Sequence, residues 1–294
     1  MNWFILSLIA MLFWSGSDLF SKIGSKPDDK YSHWKMVIVV GVVMGAHALY
    51  MIFIKGVEFN LSSIITYSPA SILYILSMIF GYAGLRYIEL SVSSPICNSS
   101  GAVAVILLFV FLGERVNILQ GIAVFIVCLS VFILSYIEKK KDNELKEKSE
   151  IKYEKSILSV LFPILYCLID GLGTFVDGLL LDKYIKAEQA NIAYEFTFLI
   201  MAMFAFIYLT VIKKEKIYIL KEKSKIAAAL SETAGQFAYI FAIEANAILA
   251  APIISAYCIL SLVWSRIILK EKLLVKQYIV IFIAAIGIAI LGME

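Results

Sequence analysis

An internal duplication is the feature that most restricts the fold of this chain. Pro95 opens an apolar stretch that ends near Glu114, and Pro252 opens a second stretch that ends near Glu271. Pro252 follows Pro95 by 157 residues, and Glu271 follows Glu114 by the same 157 residues. Because two copies of one segment are expected to fold alike, the duplication predicts two structurally related halves.

The composition indicates that both halves lie in lipid. Hydrophobic residues make up 61% of the chain and charged residues 17%, which is more apolar surface than a soluble domain can bury. A membrane-crossing helix needs about 20 apolar residues. The sequence predicts ten such spans, at approximately 3–24, 35–55, 66–86, 91–112, 117–137, 156–180, 189–212, 225–243, 248–268 and 274–292.

Ten spans divide into five for each repeat. An odd number makes the second repeat enter the membrane from the opposite side, so the two repeats become inverted. We therefore predict an all-α membrane protein of ten transmembrane helices, built as two inverted five-helix repeats at 1–137 and 156–294, with a charged linker at 138–155. Inverted repeats are typical of secondary transporters with a midplane site. The alternative interpretation is that duplication only enlarged a membrane scaffold.

Motifs for other functions are missing from the sequence. It contains no phosphate-binding G-x-x-x-x-G-K-[ST] loop, no metal-ligand spacing and no Ser/His/Asp set, and its four cysteines all fall inside predicted spans. We expect no enzyme activity, no cofactor, no metal and no nucleic-acid partner. A membrane-embedded enzyme or a structural bundle is the alternative from a different class.

Several motifs resemble one family of membrane proteins. The first span contains Trp14-Ser15-Gly16, and the span that begins at Pro95 closes on the residues L-G-E-R-V at 112–116. Together with the repeats, these features resemble the drug/metabolite transporter superfamily and its EamA-like members over nearly the whole chain. The second repeat has L-K-E-K-L at 269–273, where the family more often has glycine before the glutamate. The resemblance implies transport of a small molecule, and it leaves the cargo open. Ten spans suffice for a monomeric transporter, and glycines in the spans suit either close packing in the bundle or a dimer, so we expect a monomer or homodimer.

The distribution of basic residues predicts an orientation. Most of the 26 Lys and Arg residues fall in loops that follow odd-numbered spans. Cytoplasmic loops carry the excess of positive charge, so we predict a multi-pass cell-membrane protein with both termini outside. The resemblance implies termini in the cytoplasm instead.

Acidic residues inside predicted spans are the candidates for chemistry. Each costs about 2.5–3.5 kcal/mol at the centre of a membrane and usually faces a cavity or a partner. Asp170, Glu195 and Glu232 are such residues, and so is Asp18, for which an ion pair with Lys22 one turn away is an equally good interpretation.

Other polar residues in the spans have simpler interpretations. Asp177 and Asp182 lie near a predicted helix end, so we interpret them as interfacial. His47 is alone in its span and is interpreted as an interior group with its hydrogen bonds satisfied.

Polar and aromatic residues recur at helical spacing on several spans, and such stripes must point inward in lipid. Tyr82, the repeat partner of Tyr239, lies on one of them. These stripes predict one cavity. The predicted substrate-binding residues are Trp14, Tyr74, Tyr82, Asn98, Asp170, Glu195, Glu232, Gln236, Tyr239 and Tyr257.

Aromatic faces together with carboxylates suit a cationic cargo. We expect an organic cation or amine, of quaternary-ammonium type, moved by alternating access. A carboxyl group among apolar side chains can also exchange a proton, so Glu195 and Glu232 are the predicted proton-coupling residues. The partners are thus the lipid bilayer, a small-molecule substrate and protons. An amino acid or another zwitterionic or neutral metabolite is the alternative cargo.

Overall fold

A computed structural model describes residues 2–25, 29–85, 90–113, 116–148, 157–181, 183–217 and 222–291. These residues form helices and connecting turns without a β-strand. Glu114, Arg115 and Asp182 lie outside the described residues. The α-helices are α1 (Trp3–Gly24), α2 (Ser32–Phe53), α3 (Ser62–Gly84), α4 (Leu90–Asn98), α5 (Ser100–Leu107), α6 (Ile118–Lys148), α7 (Ile157–Leu180), α8 (Ala187–Ile207), α9 (Lys223–Ser255), α10 (Tyr257–Ile267) and α11 (Val275–Leu291).

Many of these helices can cross a membrane. Seven helical segments of the described chain are long and apolar enough, and the shorter apolar helices Ile118–Leu134 and Val275–Leu291 add to them. The described part of the chain is therefore all-helical and of membrane type, as predicted. The seven segments are Trp3–Gly24, Ser32–Phe53, Ser62–Gly84, Ser93–Leu112, Leu161–Leu180, Ala187–Ile212 and Lys223–Ile267.

The longest segment, Lys223–Ile267, covers both the eighth and the ninth predicted spans. Its first helix, α9, is interrupted at Asn246, whose backbone is extended, with φ −165° and ψ 86°. The Asn246 side-chain oxygen accepts a hydrogen bond from Leu249 N at 3.2 Å. Such a bond to the third residue is typical of an N-cap, so a new helix begins after Asn246. The interruption falls between the two predicted spans.

The outer surface and the interior differ in residue size. Large apolar side chains face outward, and Phe53, Ile65 and Phe111 are 76%, 77% and 70% exposed. Such a surface is stable against lipid tails and would aggregate in water. The interior contains many small residues. Carbon at the Gly41 Cβ position of α2 would lie 2.5 Å from Ala202 Cβ of α8, so glycine is required for this close packing.

Helices from the two halves pack against each other in pairs. α1 packs on α9, α2 on α8, α3 on α7, α4 on α10, and α6 on α11. Each pair joins one helix from residues 1–137 with one helix from residues 156–294. The interface between the halves is therefore the core of the bundle. α6 also continues to Lys148, so part of the predicted linker is helical.

Two equivalent turns contain residues with left-handed backbone. Gly113 has φ 64°, and Lys270, which follows it by the repeat distance of 157 residues, has φ 60°. This conformation costs a side-chain-bearing residue about 1–2 kcal/mol and costs glycine nothing. The backbone of Lys270 is thus strained, whereas that of Gly113, its counterpart in the first copy of the motif, is not.

We expect Lys270→Gly to stabilise the protein by about 0.5–1 kcal/mol. This is the strain of about 1–2 kcal/mol less the roughly 0.5–1 kcal/mol that glycine adds to the entropy of the unfolded chain. Thermal unfolding of the purified protein in detergent measures the effect. Gly113→Ala is the matched control and should lower the unfolding temperature. A lower unfolding temperature for Lys270→Gly would contradict the strain.

Candidate functional site

A small cavity of about 60 Å³ lies inside the bundle, where helices of both halves meet. Its walls come from α1, α3, α4, α7, α8, α9 and α10. Seven of the ten predicted binding residues line it, and Asn98, Glu195 and Tyr239 do not. The seven are Trp14, Tyr74, Tyr82, Asp170, Glu232, Gln236 and Tyr257.

Asp18 also lines the cavity. Its carboxylate accepts hydrogen bonds from Ser261 Oγ at 2.9 Å and from Ser94 Oγ. The Lys22 ammonium donates to the carbonyl oxygen of Leu85 at 2.9 Å, and no ion pair joins Lys22 to Asp18 among the described residues. The ion-pair interpretation of Asp18 is therefore wrong, and Asp18 belongs with the cavity.

The other two cavity carboxylates are held in the same way. Asp170 accepts from Ser100 Oγ at 2.8 Å and from Ser77 Oγ at 3.2 Å, and Glu232 accepts from Ser17 Oγ at 2.6 Å. In each case the serine comes from a different helix than the carboxylate. Serine hydroxyls supply hydrogen bonds but no positive charge, so the cavity is acidic.

Aromatic rings form another part of the wall. The Trp14 ring lies 4.9 Å from the Tyr239 ring and 5.9 Å from the Tyr257 ring, centroid to centroid. Carbon at the Gly235 Cβ position would lie 2.3 Å from Trp14 Cδ1, so glycine is required for the indole to lie against α9. Tyr239 therefore supports the cavity wall from behind the indole.

Four hydrogen-bond donors on the described cavity residues have no partner. They are the indole nitrogen of Trp14, the hydroxyls of Ser21 and Tyr82 and the amide nitrogen of Gln236, and all four atoms are buried. Tyr82 and Gln236 are only 6% and 3% exposed. A buried donor without an acceptor costs about 1–3 kcal/mol, so these atoms are available to a bound molecule.

Asp177 is not interfacial, which corrects the expectation from its position. Its side chain is fully buried and accepts hydrogen bonds from Tyr67 OH at 2.5 Å, Tyr74 OH at 2.8 Å and Tyr239 OH at 2.9 Å. The Tyr74 and Tyr239 hydroxyls also lie within hydrogen-bond distance of each other, so one of them can donate to the other in place of Asp177. We call these four residues the Asp177 cluster. It joins α3, α7 and α9 beside the cavity, which Tyr74 also lines.

A sequence signal for Asp177 existed. Tyr166, Asp170 and Thr174 follow one another at intervals of four on one face of α7, and Asp177 continues that face after three more residues. Thr174 Oγ1 lies 3.1 Å from Tyr74 OH, so the whole face is turned inward. Position near the helix end was therefore the weaker signal, and helical spacing was the stronger one.

The two remaining predicted residues have local partners. The Asn98 side-chain amide donates to Ser94 O at 2.8 Å and supports the helix that carries Ser94. Glu195 is fully buried, and its Oε1 lies 2.7 Å from His47 Nδ1. His47 has the partner that was expected, but it is not an interior group, because its side chain is 26% exposed.

We expect Asp177→Leu to destabilise the protein by several kcal/mol. The substitution leaves the hydroxyls of Tyr67 and Tyr239 without their carboxylate, at a cost of about 1–3 kcal/mol for each. Thermal unfolding in detergent measures the loss. Tyr67→Phe, which removes only one of the three donors, should cost about 1 kcal/mol, and Tyr184→Phe, at an exposed tyrosine, should cost nothing. Equal unfolding temperatures for Asp177→Leu and the native protein would show that the cluster does not stabilise the fold.

Comparisons with known proteins bear on the family and the fold. The model of the EamA-like transporter family matches residues 1–136. No curated protein matches the sequence. One solved structure, described as "Crystal structure of protein", aligns with 98% of this chain and 96% of its own at a TM-score of 0.69 and 14% identity, so it shares the fold. The first part of the chain, residues 1–136, is thus similar to the EamA-like transporter family, the family that its motifs resemble.

Proposed function

We propose that this protein is a secondary transporter that moves an organic cation or amine by alternating access, and that the cargo binds in the cavity between the two halves. The observation that carries the proposal is the charge of the cavity. Asp18, Asp170 and Glu232 all line it, and none of the described lining residues is Lys or Arg.

A cation offsets the cost of these acids. A carboxylate in an apolar interior is unstable unless it is paired, and serine hydroxyls offset only part of its lost hydration. A positively charged cargo adds the missing charge. The Trp14 and Tyr257 rings beside the acids contribute about 0.5–2 kcal/mol more through cation–π attraction.

The helix pairing supports two inverted five-helix repeats, at 1–137 and 156–294. In the proposed repeats α1 is equivalent to α7, and α3 is equivalent to α9. If the repeats are related by a two-fold axis in the membrane plane, a contact between α1 and α9 requires the symmetry-related contact between α7 and α3. Both pairs are present, and α2 packs on α8, its own counterpart. The break at Asn246 divides the 45-residue segment into two crossings, which brings the proposed number of spans to ten.

The size of the cavity supports alternating access. A volume of about 60 Å³ is far below the roughly 300–1,000 Å³ of typical small-molecule pockets, so the cavity as it stands is too small for most organic cations. Cargo entry therefore requires α-helices of the two halves to separate. The Asp177 cluster, beside the cavity, is a barrier that such a motion would have to open. We also retain from the charge distribution the proposal that both termini lie outside the cell.

Glu232→Gln should weaken binding of a cationic cargo about tenfold or more. A hydrogen bond to a charged group contributes about 1.5–3 kcal/mol, and each 1.4 kcal/mol is a factor of ten. Currents from proteoliposomes on a solid-supported membrane measure this, with choline, polyamines and aromatic amines as probes. Glu188→Gln, at an exposed acid outside the cavity, is the control. Unchanged currents in Glu232→Gln would contradict the cation site.

The unpartnered donors favour a second candidate, a zwitterionic cargo such as an amino acid. A simple alkyl ammonium brings no acceptor to Trp14, Tyr82 or Gln236. A carboxylate beside the amine would accept from these donors while the amine meets the acids.

Trp14→Phe distinguishes the two candidates, because it removes the indole N–H and keeps an aromatic face. For a zwitterionic cargo we expect about tenfold weaker binding of the amino acid and no change for the corresponding amine, which lacks the carboxylate. The same currents measure both, with Trp34→Phe as the control. Equal effects on the amino acid and the amine would exclude a contact between the indole N–H and a carboxylate.

A further inference from the structure

A second polar group of residues lies outside the cavity. Glu195 and Asn191 are one turn apart on α8, and His47 faces them from α2. Glu195 and Asn191 are 0% and 1% exposed. None of the three lines the cavity. We call these residues the Glu195 site.

One oxygen of Glu195 has all the hydrogen bonds and the other has none. Oε1 is 2.7 Å from His47 Nδ1 and accepts from the Asn191 amide nitrogen at 2.9 Å. Oε2 is buried without a partner, and so is the side-chain oxygen of Asn191. Both atoms only accept hydrogen bonds while Glu195 is ionised, so the site lacks a donor.

We propose that the Glu195 site is a proton-binding site that is separate from the cargo cavity. A proton that binds Oε2 converts the carboxylate to a neutral carboxylic acid, whose O–H can donate to the Asn191 oxygen. The Asn191 amide nitrogen already bonds to Oε1, so the second bond closes a ring of two hydrogen bonds between acid and amide. One proton thus satisfies both unpartnered oxygens and keeps the bond to His47 Nδ1.

A metal cation fits the same atoms less well. Sodium-like or calcium-like ions take about six or more oxygen ligands, and the Glu195 site offers two free oxygens among the described residues. The ring nitrogen of His47 at 2.7 Å from Oε1 also occupies the position of a further ligand. A proton needs one oxygen to bind and a second oxygen to accept its hydrogen bond. Glu195 Oε2 and the Asn191 side-chain oxygen are these two atoms.

The ionisable groups around Glu195 are few. α2 contributes His47, and α8 contributes Tyr194, whose hydroxyl donates to Met78 Sδ of α3 at 3.3 Å. From α9, Glu232 accepts from Ser17 of α1 instead. Among the described residues, His47 is the ionisable group that contacts Glu195. A proton on Glu195 therefore has His47 as its one ionisable neighbour in contact among the described residues.

His47 connects the site to the outside of the bundle. Its ring lines a groove between α1, α2 and α9, together with Tyr50 and Phe237. The Tyr50 and Phe237 rings lie 6.3 Å and 5.7 Å from the imidazole. Because Nδ1 faces Glu195, His47 is the side chain that lies between the carboxylate and the outer face of the bundle.

Infrared difference spectra between acidic and alkaline pH test the site without any cargo. In purified protein in lipid, we expect a carboxylic-acid band that Glu195→Gln removes and that Asn191→Leu shifts. Glutamine imitates the protonated acid, since its amide N–H can donate to Asn191, so this variant should fold. Glu188→Gln, at an exposed acid on the same helix, must keep that band. Identical spectra of Glu195→Gln and the native protein would overturn the proposal.

A role in coupling rests on the proposed function and needs a separate test. Aromatic-amine currents in proteoliposomes should change with pH in the native protein, and Glu195→Gln should retain the current but lose its pH dependence. Glu195→Gln with the native pH dependence would overturn the coupling role. If the native protein gave no current with any cation, the proposed cargo would fail, whereas the infrared result would still decide whether Glu195 binds a proton.

Discussion

Buried carboxylates that accept hydrogen bonds from other helices are the interactions on which this structure depends. Asp18 accepts from helices α4 and α10, and Asp177 accepts from α3 and α9. In lipid there is little hydrophobic force between helices, so small-residue contacts and polar bonds between helices must hold the bundle together. The same acids that give the cavity its charge therefore also fix the helices around it.

Sequence reasoning succeeded where helical spacing carried the signal. The spacing of polar and aromatic residues predicted seven residues of the cavity wall, among them Asp170 and Glu232. It failed where a residue was judged by itself. For Asp18 an ion pair with its nearest lysine was left as an equally good interpretation, because the sequence cannot show that Ser94 and Ser261 from distant helices supply its partners. Glu195 was assigned to the cavity but contacts His47 of α2 instead. Helical spacing shows which face of a helix is polar, but it does not show which neighbouring helix that face contacts.

The fold, like the cavity wall, was predictable from the sequence in most of its elements. Apolar length located the seven membrane-length segments of the described chain but not the continuation of α6 to Lys148. The conformation at Gly113 and Lys270 agrees with the register of the duplication. The interruption at Asn246 is less visible in the sequence, because an asparagine among apolar residues fits a helix, a cap or a binding site equally well. Its hydrogen bond to Leu249 N identifies the cap.

α9 connects the three polar parts of the protein. Glu232 and Gln236 face the cavity, Tyr239 bonds to Asp177, and Phe237 packs against His47 beside Glu195. A rigid helix cannot move one of these contacts without disturbing the others. If α9 shifts when the two halves separate, the cavity, the Asp177 cluster and the surroundings of His47 must change together. This arrangement gives a physical route by which a proton at the proposed Glu195 site could bias cargo binding at a distance, without sharing a carboxylate with the cargo.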